Sequence, residues 1–103
     1  MLIEVHTTCG NEDEARRIAL RALEEHLCAC VHMTPIESHY WWQGVIRQNN
    51  EFRLSFKTIS ERYERLVDLI VGEHSYDLPS IYSTAVLHGG EDYTRWIETN
   101  SSN

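Results

Sequence analysis

The sequence predicts an α+β fold of the ferredoxin-like, split βαβ kind: an antiparallel sheet with both helices on one face, ending in a short C-terminal helical segment. Three observations lead there. Two segments space apolar residues at i, i+3, i+4, and others carry the alternation or β-rich composition of strands. Their order along the chain is strand, helix, strand, strand, helix, strand. With 103 residues there is room for one domain, 1–103, and one core. A chain of this size buries roughly 65% of the surface it exposes unfolded, enough to fold without metal or disulfide.

Leu2 to Thr8 is the first strand, with Ile3, Val5 and Thr7 on one face and Glu4, His6 and Thr8 on the other; Gly10 breaks it. Asn11 is placed to cap a helix, and Glu14 three residues on completes the pattern of a capping box. Glu12, Asp13 and Glu14 suit the positive end of the helix dipole. Ala15, Ile18, Ala19, Ala22, Leu23 and Leu27 form the buried helix face. Cys30 to Thr58 reads as a long β-hairpin. Its first arm, Cys30 to Trp42, is expected to kink or bulge near Pro35, which lacks a ladder donor. Gln43-Gly44 is the turn, with Asn49-Asn50 as a competing turn or loose point. The returning arm ends in alternation, Phe52, Leu54, Phe56 and Thr58 against Glu51, Arg53, Ser55 and Lys57.

Ser60 is the expected cap of a second helix with Tyr63, Leu66, Val67 and Ile70 as its stripe and Gly72 as its stop. A loop, His74 to Pro79, leads to a strand from Ile81 to Leu87. Gly89-Gly90 ends that strand before a short terminal segment, Tyr93 to Ile97.

The formal net charge is -7, with nine Lys and Arg residues scattered among sixteen Asp and Glu. Nothing forms the basic footprint that nucleic acid requires, and the acidic excess repels anionic membrane surfaces, so neither partner is expected. Divalent cations are the partner class this charge favours. No window approaches the ~18 apolar residues of a membrane span. Met1 to Val5 has neither a basic n-region nor a small-residue cleavage site. Cys9, Cys28 and Cys30 form no C-x-x-C and cannot all pair, which reads as reduced thiols. The expected compartment is the cytoplasm.

Tyr40, Trp41 and Trp42 are consecutive on one strand, so their rings point alternately to opposite faces. In a two-layer fold only one sheet face meets helices. At least one large ring, worth about 150–250 Å² of burial, then has no cover inside the monomer. A partner subunit under cyclic symmetry is the simplest cover.

These residues also carry a resemblance. Cys30-Val31 followed by Pro35, then Ser38-x-Tyr40-Trp41-Trp42-x-Gly44, is similar to a segment of the divalent-cation-tolerance, or CutA, family. Glu51 with Lys57-Thr58, the loop His74-Ser75-Tyr76-x-x-Pro79, and Tyr93-x-x-Trp96-Ile97 resemble its later motifs in order. The chain departs from the family pattern at Ile36, where a glycine follows the proline, and at Ser75, where a proline follows the histidine. The resemblance implies a homotrimer of ferredoxin-like subunits, related in architecture to the P-II signalling proteins and associated with tolerance to copper and other divalent metals. It also implies a copper site from a cysteine ending the first strand and two histidines before the tyrosine loop. By position these fall on Thr7, with Cys9 close by, and on Glu73 and His74. The implied ligand set for Cu(II) or another divalent metal is therefore His74, Glu73 and Cys9.

Read from the residues, His74 stands past a helix end, in a loop expected to expose it. There it is either a metal ligand beside Glu73 or a cap on the helix carbonyls. Glu51 and Lys57 share a strand face about 20 Å apart. A trimer could gather them with Tyr40, Trp42 and Tyr76 into a charged, aromatic inter-subunit cleft; the other reading is an inter-subunit salt bridge. His6, His26, His32, His39 and His88 fall on separate elements and read as structural or surface residues.

Two function classes follow, a metal-responsive or small-ligand-binding trimer and a trimeric protein-interaction scaffold. Catalysis is not expected. The loop after the first strand, Thr8 to Asp13, is acidic where a phosphate-cradling enzyme of this fold needs arginine, and it lacks the C-x-x-C of a copper chaperone.

Overall fold

A computed structural model of the chain describes residues 1–102. Its elements are β1 (Leu2–Cys9), α1 (Glu12–Glu24), β2 (Cys30–Trp42), β3 (Val45–Ile59), α2 (Tyr63–Glu73), β4 (Ile81–Ala85) and α3 (Glu91–Asn100). The four strands form one sheet in the order β2-β3-β1-β4, each pair antiparallel. This is the ferredoxin-like arrangement.

Alternation along β1 and β3 decides which side chains meet the helices. Val5 lies opposite Phe56 and Thr7 opposite Leu54. Those four are at most 1% exposed, packed in a core with Ile18 and Ala22 of α1 and Leu66 and Ile70 of α2. Fully burying side chains of this size contributes about 1.5–3 kcal/mol each, so this layer holds the sandwich together. Ile97 of α3 is buried too, and Arg62 Nε donates to the carbonyl of Ser101 at 2.7 Å, tying the C-terminal turn to the start of α2.

Several local expectations need correction. β2 does not bulge at Pro35: the ladder passes through it, with Pro35 opposite Phe52. β2 is an edge strand, which tolerates proline when the missing N–H faces outward. Asn49 and Asn50 do not turn either; they pair with Ser38 and Glu37. The turn is Gln43-Gly44, with φ of 51° and 78°, the doubly positive geometry that matches strand twist. Ser60 opens a 3₁₀ turn, Ser60–Arg62, and gives α2 no side-chain cap. α2 runs through Gly72 to Glu73, since with His74 extended beyond the end no left-handed glycine is needed. α1 ends before Leu27, which is still buried because His26 at φ 55° turns the chain back onto the core. β4 stops at Ala85, and the terminal helix is longer than expected, starting at Glu91.

The hairpin outruns the sheet. β1 pairs with β3 only from Phe52 to Ile59, so Val45–Glu51 and Ile36–Trp42 continue as a two-stranded ribbon. The molecule is accordingly elongated, 45 × 25 × 21 Å.

Candidate ligand cleft

Where the ribbon leaves the sheet, period-two alternation puts Tyr40 and Trp42 of β2 on the same face as Asn49 and Glu51 of β3, the face away from α1 and α2. Tyr76, from the loop after α2, closes the end of this row. Together with Asp77 these side chains line a cleft of about 540 Å³. Tyr76 O–H donates to Glu51 Oε2 at 2.7 Å, and Asn49 Nδ2 donates to the hydroxyl of Tyr40. Burial, reinforced by the bond to Glu51, raises the Tyr76 pKa above the ordinary phenol value, so its hydroxyl stays a donor. Glu51 is only 7% exposed.

The position of Tyr76 is set from below. Glu14 of α1, 3% exposed, accepts from Ser75 N–H at 2.5 Å and from Ser75 Oγ at 3.1 Å. Asn11 caps α1 through Glu14 N–H at 2.7 Å, but the Glu14 carboxylate holds the loop instead of completing the capping box. Gly10 lets the tyrosine pass: a Cβ there would lie 2.9 Å from the Tyr76 hydroxyl.

The residues implied for a metal are placed as follows. The His74 side chain is fully buried rather than exposed, because the chain beyond α2 turns inward across the end of β1. Its Nε2–H donates to the carbonyl of Thr8 at 2.7 Å, and Nδ1 accepts from Tyr76 N–H at 3.1 Å. It therefore ties β1 to the loop and does not cap the carbonyls of α2. The Cys9 thiol lies 3.9 Å from His74 Nε2, and burial, with help from Glu14 and Glu51, pushes its pKa up to about 12. Glu73 turns the other way, to Arg17 Nε at 3.3 Å and Arg21 Nη1 at 3.0 Å. A histidine with both nitrogens engaged, a protonated thiol and a carboxylate held by two arginines do not fit a metal ion as arranged. Among the described residues no three His, Cys, Asp or Glu side chains are grouped to hold one.

Within one chain, Lys57 stands apart from the other four residues of the expected inter-subunit cleft. It lies opposite Glu4 in the sheet and pairs with it. One further polar cluster escaped sequence reasoning. His6, 3% exposed on the sheet face opposite α1 and α2, has Nδ1 3.0 Å from Ser55 Oγ and 3.1 Å from Arg53 Nη2, and Nε2 3.0 Å from Thr84 Oγ1. An arginine can only donate, so Nδ1 is the acceptor and the ring is neutral, with its proton on Nε2. The only sequence signal was the position of His6 in an alternating strand, which gives a face and not a degree of burial.

An antiparallel α+β sandwich with a long free hairpin and an aromatic cleft beside it defines a protein of the ferredoxin-like class. Residues 3–100 match the model of the CutA1 divalent ion tolerance protein family. The chain belongs to that family. It is 37% identical over 94 residues to the divalent-cation tolerance protein CutA of Archaeoglobus fulgidus, covering 91% of this chain and 92% of that one. A solved structure from the same organism, described as the periplasmic divalent cation tolerance protein CutA, superposes with a TM-score of 0.97 at 35% identity, over 99% of this chain and all of that one. The chloroplastic CutA 1 protein of Oryza sativa is 31% identical over 100 residues, 96% of this chain and 56% of its own length.

Proposed function

We propose that the chain works as a homotrimer that binds a small ligand in the cleft at Tyr40, Trp42, Glu51 and Tyr76, a P-II-like responsive protein rather than an enzyme. The observation that carries this reading is Glu51: a buried carboxylate, hydrogen-bonded by one neutral hydroxyl, facing a cavity of about 540 Å³ with aromatic walls. Trimer formation is supported by the ribbon, where Trp41 is 71%, Ile46 63% and Val45 52% exposed, an apolar surface that calls for a cover. Three thiols without a disulfide fit a reducing compartment such as the cytoplasm.

In this proposal the link to divalent cations runs through the ligand-bound trimer and not through copper or zinc held by His74, Glu73 and Cys9. Calorimetric titration of Cu(II) and Zn(II) into the wild type and His74→Ala tests that point: the expected result is no saturable site that depends on His74. A submicromolar site lost in the variant would restore the metal reading. A thermal-shift screen of small metabolite-like compounds, repeated on Tyr76→Phe, tests the cleft. Hits weakened in the variant support it, and an absence of hits in a protein of trimeric mass favours the scaffold reading.

A further inference from the structure

We propose that the ligand of this cleft is a small organic cation, an alkyl- or quaternary ammonium; the inference rests on the reading of the cleft as a ligand site. Charge is the first reason. Among the described residues of one chain, Glu51 and Asp77 line the cleft and no lysine or arginine does. Arg53, two residues along the same face, directs its guanidinium to His6 Nδ1 at 3.1 Å and the Tyr82 hydroxyl at 3.4 Å. Arg47 lies opposite Tyr40 in the ladder but is not among the lining side chains. Among the described residues the only hydrogen-bond partner of the Glu51 side chain is Tyr76 O–H, which takes Oε2 and leaves Oε1 open. Glu51 is 7% exposed as a residue while its Oε1 has no partner among the described residues, so a ligand bringing a positive charge gains a charge-assisted contact there. Carboxylates and phosphates are repelled by the same arrangement.

The walls choose between kinds of cation. Tyr40 and Trp42 line the cleft; aromatic rings attract an ammonium through the ring quadrupole and supply apolar area for its alkyl groups. A divalent metal asks for several oxygen, nitrogen or sulfur donors. Among the described residues no cluster of three such side chains is found here or elsewhere. The net charge of -7 further favours the approach of cations over anions.

The test is calorimetric titration of the intact protein with choline and, separately, with 3,3-dimethylbutan-1-ol, its uncharged carbon isostere. Choline is expected to saturate a single class of site and to bind at least about tenfold more tightly than the alcohol. In Glu51→Gln the preference for choline should vanish. Asp77→Asn, at an exposed position, should weaken choline by a smaller factor of about two to five; it keeps the proposal open to refutation if Glu51→Gln fails to fold. Equal affinity for choline and the alcohol, unchanged in both variants, would overturn the ammonium class while leaving the cleft a ligand site. Hits of the thermal-shift screen that map to the cleft but are all anions would overturn it too. No binding of either probe, with no screen hits of any class, would remove the cleft reading itself.

Discussion

His6 shows how much one buried side chain can organise. It joins three strands on the face opposite α1 and α2, through Ser55 and Arg53 of β3 and Thr84 of β4, with the Tyr82 ring 5.0 Å away. Burial, and secondarily the Arg53 charge, lower its pKa below the ordinary 6.5. Glu4, 3.7 Å from Nε2, pulls the other way but is itself tied to Lys57. The neutral ring is thus favoured by folding. Its contribution is complete above the ordinary imidazole pKa and is lost as pH falls through the lower folded value. The thermal midpoint should therefore drop on acidification below about 6.5, and in His6→Gln this part of the pH dependence should disappear. A second prediction concerns Glu14. Removing its carboxylate in Glu14→Ala deletes both hydrogen bonds to Ser75, at a cost of about 1–2 kcal/mol in urea unfolding. Gly10→Ala should cost less stability but displace Tyr76, weakening cleft ligands more than the fold.

At the scale of elements, most of the architecture was legible because alternation and helical spacing report burial directly. The β1 faces, the α1 stripe and the Gln43-Gly44 turn are local properties, and the structure has them where the sequence pattern puts them. What was not legible depended on neighbours. Pro35 is harmless only because β2 ends up at an edge, and Asn49-Asn50 stays in register only because β2 is long enough to pair with it. The same holds for the site. Tyr40, Trp42 and Glu51 could be placed on one face by counting, whereas the burial of His74 depends on how the loop after α2 crosses β1, which no spacing encodes. Lys57 shares the parity of Glu51 and, within one chain, sits beside Glu4. The turn offers a direct check: Gly44→Val, with φ of 78° at that position, should destabilise the ribbon by about 1–2 kcal/mol, seen as faster amide exchange in residues 36–51.

For the whole molecule, the proposed trimer rests on the ribbon. Light scattering should give about three times the 12.1 kDa chain mass. Trp41→Ala or Ile46→Ala should lower it at micromolar concentration, because these paired side chains stand bare in the single chain. Arg16→Ala, which removes only an exposed pair with Glu12, should not. A monomeric mass for the wild type would leave the ribbon without its cover and sink the trimer.

A long outer strand beside bare apolar side chains is also what open-ended fibrous growth needs. Pro35 sits near the middle of that strand, and its nitrogen carries no hydrogen to offer a newcomer. An incoming strand would lose a ladder bond there and clash with the ring, so stacking edge on edge is interrupted before it can repeat. The residue that looks like a flaw in the hairpin thus makes its outer margin a poor template for another strand.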